Sequence, residues 1–151
     1  MKYFTMKELT KSATAQRLGI NNTPGLDEQL QLHKLVENIL DPLREAYGKP
    51  IIVTSAYRCE KLNKAVGGSS TSQHFLGQAA DIRCVSDTPS GNKELFDLIR
   101  ELKLPFDQLI WEYGNLKTGP NWVHVSYSPR NRRQVLQAIR NGKKTIYKTM
   151  K

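Results

Sequence analysis

Apolar positions along this chain change period part-way through, and the change separates a helical N-terminal portion from a strand-rich remainder. Leu26, Leu30, Leu35, Ile39 and Leu43 fall at roughly helical spacing before Gly48. An amphipathic helix lying on a sheet is predicted there, opened by Thr23 as its cap and Pro24 at its first position. Pro42, which has no N–H to donate, should kink or split it. Further upstream, Thr5 and Glu8 have the spacing of a capping box that opens a short helix toward Lys11.

From Pro50 onward the periodicity shortens. Ile51 to Ser55 and Ala79 to Val85 read as strands, as do the segments Gln108 to Tyr113 and Trp122 to Tyr127. Glu60 to Gln73 reads as a loop, because Gly67, Gly68, Ser69, Ser70, Thr71 and Ser72 cluster turn formers and offer no apolar face. Ser90 to Leu102 reads as a helix capped by Ser90, with Leu95, Phe96, Leu98, Ile99 and Leu102 on one face. In the tail, Gln134 to Ile139 and Thr145 to Tyr147 flank Asn141-Gly142, which suits a tight turn. A hairpin is expected, with a terminal helix as the alternative. Helices followed by strands with one intervening helix predict an α+β fold: a small, largely antiparallel sheet with helices packed on it.

Composition narrows the class. A length of 151 residues predicts one domain, 1–151, and 38% hydrophobic with 25% charged residues is globular usage. No apolar run is long enough to span a bilayer. The segment Met1 to Glu8 lacks the apolar core of a secretory signal. The net charge of +9 is concentrated: Arg130 to Lys151 holds eight Lys and Arg and no acid. Such a segment attracts polyanions, with nucleic acid, anionic wall polymer or a membrane surface as candidates, or else it is a solvated edge. No zinc-finger, helix-turn-helix or RNP-like motif is present, so no specific nucleic-acid partner is expected. Cys59 and Cys84 lack zinc-site spacing and read as free thiols, a bridge between them being the alternative.

Candidate chemistry concentrates between Ser72 and Asp81, where His74, Gly77 and Asp81 stand at a loop-to-strand junction. Of the three histidines, His33 lies within the predicted long helix and is set aside. His124 lies on a predicted strand, sharing a face with Trp122 and Ser126 while Val123, Val125 and Tyr127 face the other way. A catalytic zinc takes three ligands from His and carboxylates and keeps a fourth position open.

The pattern Ser72-x-His74-x-x-Gly77-x-Ala79-x-Asp81, followed by Trp122-Val123-His124-Val125-Ser126, resembles the two metal-binding motifs of zinc D-Ala-D-Ala carboxypeptidases and L-alanyl-D-glutamate endopeptidases. Thr54-Ser55-Ala56-Tyr57-Arg58 resembles that family's strand and arginine before the zinc loop, so the similarity covers Ile51 to Tyr127. It implies a hedgehog-like peptidase fold, Zn2+ held by His74, Asp81 and His124, and hydrolysis of peptidoglycan stem peptides. By the same resemblance, Arg58 would bind a substrate carboxylate, and Ser72 would touch substrate or shape the loop. Neutral histidines and an ionised aspartate are needed for coordination, so metal binding should weaken at acid pH.

The sequence departs from the family where several members carry an acid, three positions before the second histidine; Asn121 stands there. Glu112 is the candidate general base in its place, ahead of Asp107 and Asp87. A catalytically inactive zinc-containing cell-wall-binding domain is the alternative. Trp111 and Trp122 belong to the cleft or to the core. A monomer is expected, held in a host cytoplasm until lysis if it is phage-type and otherwise acting at the bacterial cell wall.

Overall fold

Alternation gives each strand two unlike faces, and the architecture is built on that difference. In a computed structural model describing residues 1–151, strands β1 (Ile51–Ser55), β2 (Ala79–Cys84), β3 (Gln108–Glu112), β4 (Trp122–Ser126), β5 (Gln134–Asn141) and β6 (Lys144–Thr149) form one sheet. Their order is β1-β2-β4-β3-β5-β6. Neighbours are antiparallel except β3 and β5, which run parallel. The α+β, largely antiparallel expectation holds.

Register decides which residues share a face. Asp81, His124, Ile110 and Leu136 are successive partners across β2, β4, β3 and β5. Two residues along the strands, Trp122, Glu112, Ala138 and Tyr147 make a second row on the same face. Ala80, Ile82, Leu109, Trp111, Val123 and Val125 point the other way, into a core shared with Leu32, Leu35, Ile39, Leu95, Phe96 and Ile99. Helices therefore cover one face and leave the His124 face for a site.

The long predicted helix is present with corrections. It consists of α3 (Leu26–Leu35), a π turn (Val36–Leu40) and α4 (Asp41–Tyr47); α1 (Met6–Thr10) and α2 (Ala13–Leu18) precede it. Gly25, not Thr23, is the cap of α3, because the Thr23 hydroxyl is spent on Asn21 Oδ1 at 2.6 Å. Leu26 and Leu30 are 84% and 53% exposed, so the buried stripe begins at Leu32 and continues through Leu35, Val36, Ile39, Leu40 and Leu43. Pro42 does split the helix: Asp41 N–H reaches back to the Val36 carbonyl, and Pro42 then sits in the first turn of α4, where its missing donor costs nothing.

The Thr5–Glu8 capping box closes α1 as its spacing predicts. The segment after β1 is not all loop, since Glu60–Ala65 forms α5, capped by the Cys59 thiol and held inside by Leu62. Neither α2 nor α5 is long enough to show a period. Pro89–Glu101 forms α6, capped by Thr88 rather than Ser90. The tail is the hairpin β5–β6, with Gly142 at φ 63° in a two-residue turn. Cys59 and Cys84 are free thiols. No helix is long and apolar enough to cross a membrane.

Candidate metal centre

Asp81 and His124 face each other as cross-strand partners on β2 and β4, with His124 Nδ1 3.0 Å from Asp81 Oδ1. Beside them the β1–β2 register slips between Val53 and Ser55, a bulge that re-aims the strand next to Asp81. His74 arrives from the loop before β2, its Nε2 3.4 Å from Asp81 Oδ2. Gly77 explains how that loop turns so tightly: its φ is 75°, and a Cβ there would lie 2.6 Å from the Glu28 carbonyl oxygen. The His74 ring is fixed by Nδ1, which donates to the Ala56 carbonyl at 2.7 Å and leaves the Nε2 lone pair facing Asp81.

Ligand atoms of His74, Asp81 and His124 all lie within 4.8 Å of one another. Zinc bonds of about 2.0–2.2 Å in a tetrahedron put ligand atoms roughly 3.3–3.5 Å apart; the two contacts to Asp81, at 3.4 and 3.0 Å, are near that range, and the His-Asp-His donor set suits zinc in its chemistry. Burial opposes the charge on Asp81, but His74 and then His124 facing it prevail and hold its carboxyl far below the usual range.

The cleft above the three side chains measures about 590 Å³ and is lined by Arg58, Ser72, Gln73, Glu112 and Trp122 among others. Glu112 is 7% exposed. Burial first, then the charge of Asp81, pushes its carboxyl up to about 7 against the opposing pull of His124. A carboxyl tuned to that range suits proton transfer near neutrality. Arg58 Nη2 donates to Ser72 Oγ at 3.3 Å, and Ser72 Oγ also accepts from His74 N–H at 3.2 Å. Ser72 thus ties the arginine to the histidine loop. Arg58 has no carboxylate partner, and its Nε is buried without one.

Residues 2–126 match the family model described as Peptidase M15. The chain belongs to that family. M15 peptidases are zinc metallopeptidases acting on peptides, so the metal suited to the His-Asp-His group is zinc. No curated protein sequence matches the chain.

Within this M15 domain the remaining candidates separate cleanly. Asp107 is fully buried and saturated: it accepts from Arg132 N, Nε and Nη2 at 2.8, 3.1 and 2.9 Å and from Gln73 Nε2 at 2.9 Å. Asp87 is an exposed turn residue with φ 52°. Asn121 is exposed, its carbonyl accepting from Asn92 Nδ2 at 2.9 Å. Trp111 is core, edge-on to Phe96 with ring centroids 5.0 Å apart; Trp122 lines the cleft. Sequence reasoning missed the wall supplied by Arg130, Arg132, Leu136 and Tyr147, which lie beyond the matched residues. Only the parallel pairing of β5 with β3 brings them there, and no local pattern announces it.

Proposed function

We propose that this M15 peptidase hydrolyses peptide bonds in bacterial peptidoglycan stem peptides, as an endopeptidase or carboxypeptidase at a D-residue bond. In this reading residues 1–151 act as one domain, His74, Asp81 and His124 hold zinc, Glu112 is the general base, and Arg58 with Ser72 receives a substrate carboxylate. The observation that carries it is the presence of buried Glu112 in the same cleft and on the same sheet face as the His-Asp-His group. When bound, zinc polarises the scissile carbonyl and makes water easier to deprotonate. Glu112 takes the proton from the attacking water as its oxygen bonds to the carbonyl carbon. The same carboxyl then returns the proton to the departing amine as the C–N bond breaks. Arg58 fixes the peptide by a two-oxygen contact with its carboxylate.

The exposed Lys143, Lys144 and Lys148 at the hairpin edge are available to an anionic wall polymer. An enzyme of this kind acts at the bacterial wall, reached at lysis if it is phage-type. Asn121 motivates the second reading, a zinc-containing wall-binding domain without activity. The deciding experiment incubates purified peptidoglycan with zinc-loaded wild type, His74→Ala and Glu112→Gln, and identifies released fragments by mass. Fragments from the wild type that vanish in both variants are expected; stoichiometric zinc with no fragments from the wild type would establish the binding domain instead.

A further inference from the structure

We propose that Arg130 gives this peptidase a second anion-binding point near Arg58, so that its preferred substrate carries two carboxylates on one side of the scissile bond. The proposal rests on the peptidase reading above and adds the substrate class. Strand directions provide the first argument. Strands β1 and β4 both run opposite to β3, so Arg58, just after β1, and Arg130 and Arg132, after β4, all lie beyond the end where β3 begins. Glu112, Trp122 and Tyr147 lie toward the other end. Measured from Ile110, the partner of His124, Asp107 is roughly 10 Å one way and Glu112 about 7 Å the other, at about 3.3 Å per strand residue. The cleft is therefore polarised along the strands, cationic at one end with the base and aromatic rings at the other.

Charge balance is the second argument. Three guanidinium groups line the cleft; Asp107 behind them already has its oxygens occupied by Arg132 and Gln73, and Asp81, whose charge also acts on Arg58, is engaged by His74 and His124. Arg130 Nη2 comes no closer to Asp107 than 3.9 Å, and its side chain is 62% exposed. It makes no side-chain hydrogen bond, and Arg58 bonds only to the neutral Ser72 hydroxyl. Two cationic forks thus face the cleft without a hydrogen-bonded carboxylate of their own, each matched in geometry to one.

The loop that presents Arg130 is also built to hold its shape. Arg130 N–H donates to Ser128 Oγ at 3.3 Å. Asn131 and Arg133 adopt φ of 43° and 52°, a conformation that costs free energy unless the surroundings impose it. Arg133 lies 4.7 Å from the Phe106 ring centroid and donates to the Leu104 carbonyl at 2.9 Å. Of the basic tail, then, Arg132 and Arg133 are structural, and Arg130 is left free for a ligand.

The test measures calorimetric binding to zinc-loaded Glu112→Gln, whose turnover is expected to be slowed by about 10²–10⁴-fold. Two peptides of mixed L and D residues are compared: one ends in a free carboxylate and carries an acidic side chain, and the other is its side-chain amide. The diacid is expected to bind about 10-fold tighter, the scale of one charge-assisted contact. Adding Arg130→Ala should erase the difference, and Arg130→Lys should restore part of it. Equal affinities, or a difference that survives Arg130→Ala, would overturn the proposal. Turnover by the unmutated enzyme separates the two levels: cleavage of both peptides without preference sinks the second anion point alone, whereas equal binding with cleavage of neither sinks the peptidase reading as well.

Discussion

Glu112 stands two residues beyond Ile110, the partner of His124, and its environment sets a measurable pH behaviour. Its carboxyl, raised to about 7 by burial and by Asp81, must lose its proton to act as a base, so kcat/KM is expected to fall on the acid side. Zinc, being positive, shifts that limb below the metal-free value. Glu112→Gln should remove the limb and lower the rate by about 10²–10⁴-fold while zinc content stays at one per chain. The metal-free protein gives an independent readout. A carboxyl whose folded pKa is raised favours the folded state below its unfolded value, and that advantage is lost as pH climbs from 4.5 to about 7. Urea unfolding of metal-free wild type should therefore weaken over this window by up to about 3 kcal/mol relative to Glu112→Gln. Parallel curves for the two proteins would remove the buried-carboxyl account of Glu112. His74, Asp81 and His124 stood out as a group through their resemblance to the family's two metal-binding motifs, and Glu112 was already preferred to Asp107 as the candidate base; what Arg132 does to Asp107 was not legible in the sequence.

At the scale of elements, Asp107 fastens the start of β3 to both the His74 loop and the β4–β5 connection. Burial works against its charge, but the Arg132 and Gln73 donors outweigh it and bring the carboxyl down to about 2. A lowered folded pKa stabilises above the unfolded value, and that stability is lost as pH falls from 3.8 toward 2. Asp107→Asn should cost about 3 kcal/mol, because it sets an amide NH2 among donors that the buried carboxylate accepted from and removes the charge paired with the partly exposed Arg132. For a domain of this size that is a melting temperature lower by about 6–12 °C. Thermal melts should show the gap at pH 7 and show it shrinking at pH 2.5; an unchanged gap at both would mean the ion pair is not its source. The helices α1 and α6 were readable from their caps and apolar faces, although Thr88 rather than Ser90 takes the cap of α6. Short α2 and α5 were not readable, since one turn and a half shows no period and their stability comes from Ala15 and Leu62 packing inward.

For the molecule as a whole, the candidate zinc site joins elements that the backbone ladder connects only in part. His74 comes from a loop, whereas Asp81 and His124 come from adjacent strands. A metal bound only by the folded chain stabilises it by about 2.7 kcal/mol at 100 times its dissociation constant. Chelation should lower the melting temperature by about 5–10 °C and added zinc should restore it, with no such response in His74→Ala. Equal melting with and without zinc would show that these side chains do not hold the metal in the folded state. The sequence by itself determined the fold class and the basic character of the tail, because capping, periodicity and composition are properties of neighbouring residues, and it offered the three metal-binding candidates through motifs that resemble those of a known family. Only the tertiary structure decided that Glu112 and not Asp107 faces the cleft free of donors, and that the β5–β6 hairpin docks beside β3. It also set Arg132 against Asp107, Arg133 against Phe106 and Arg140 against Tyr113, and left the Arg130 side chain mostly exposed. Those outcomes depend on strand order and charge pairing between residues remote along the chain, where a local pattern carries no record of the partner.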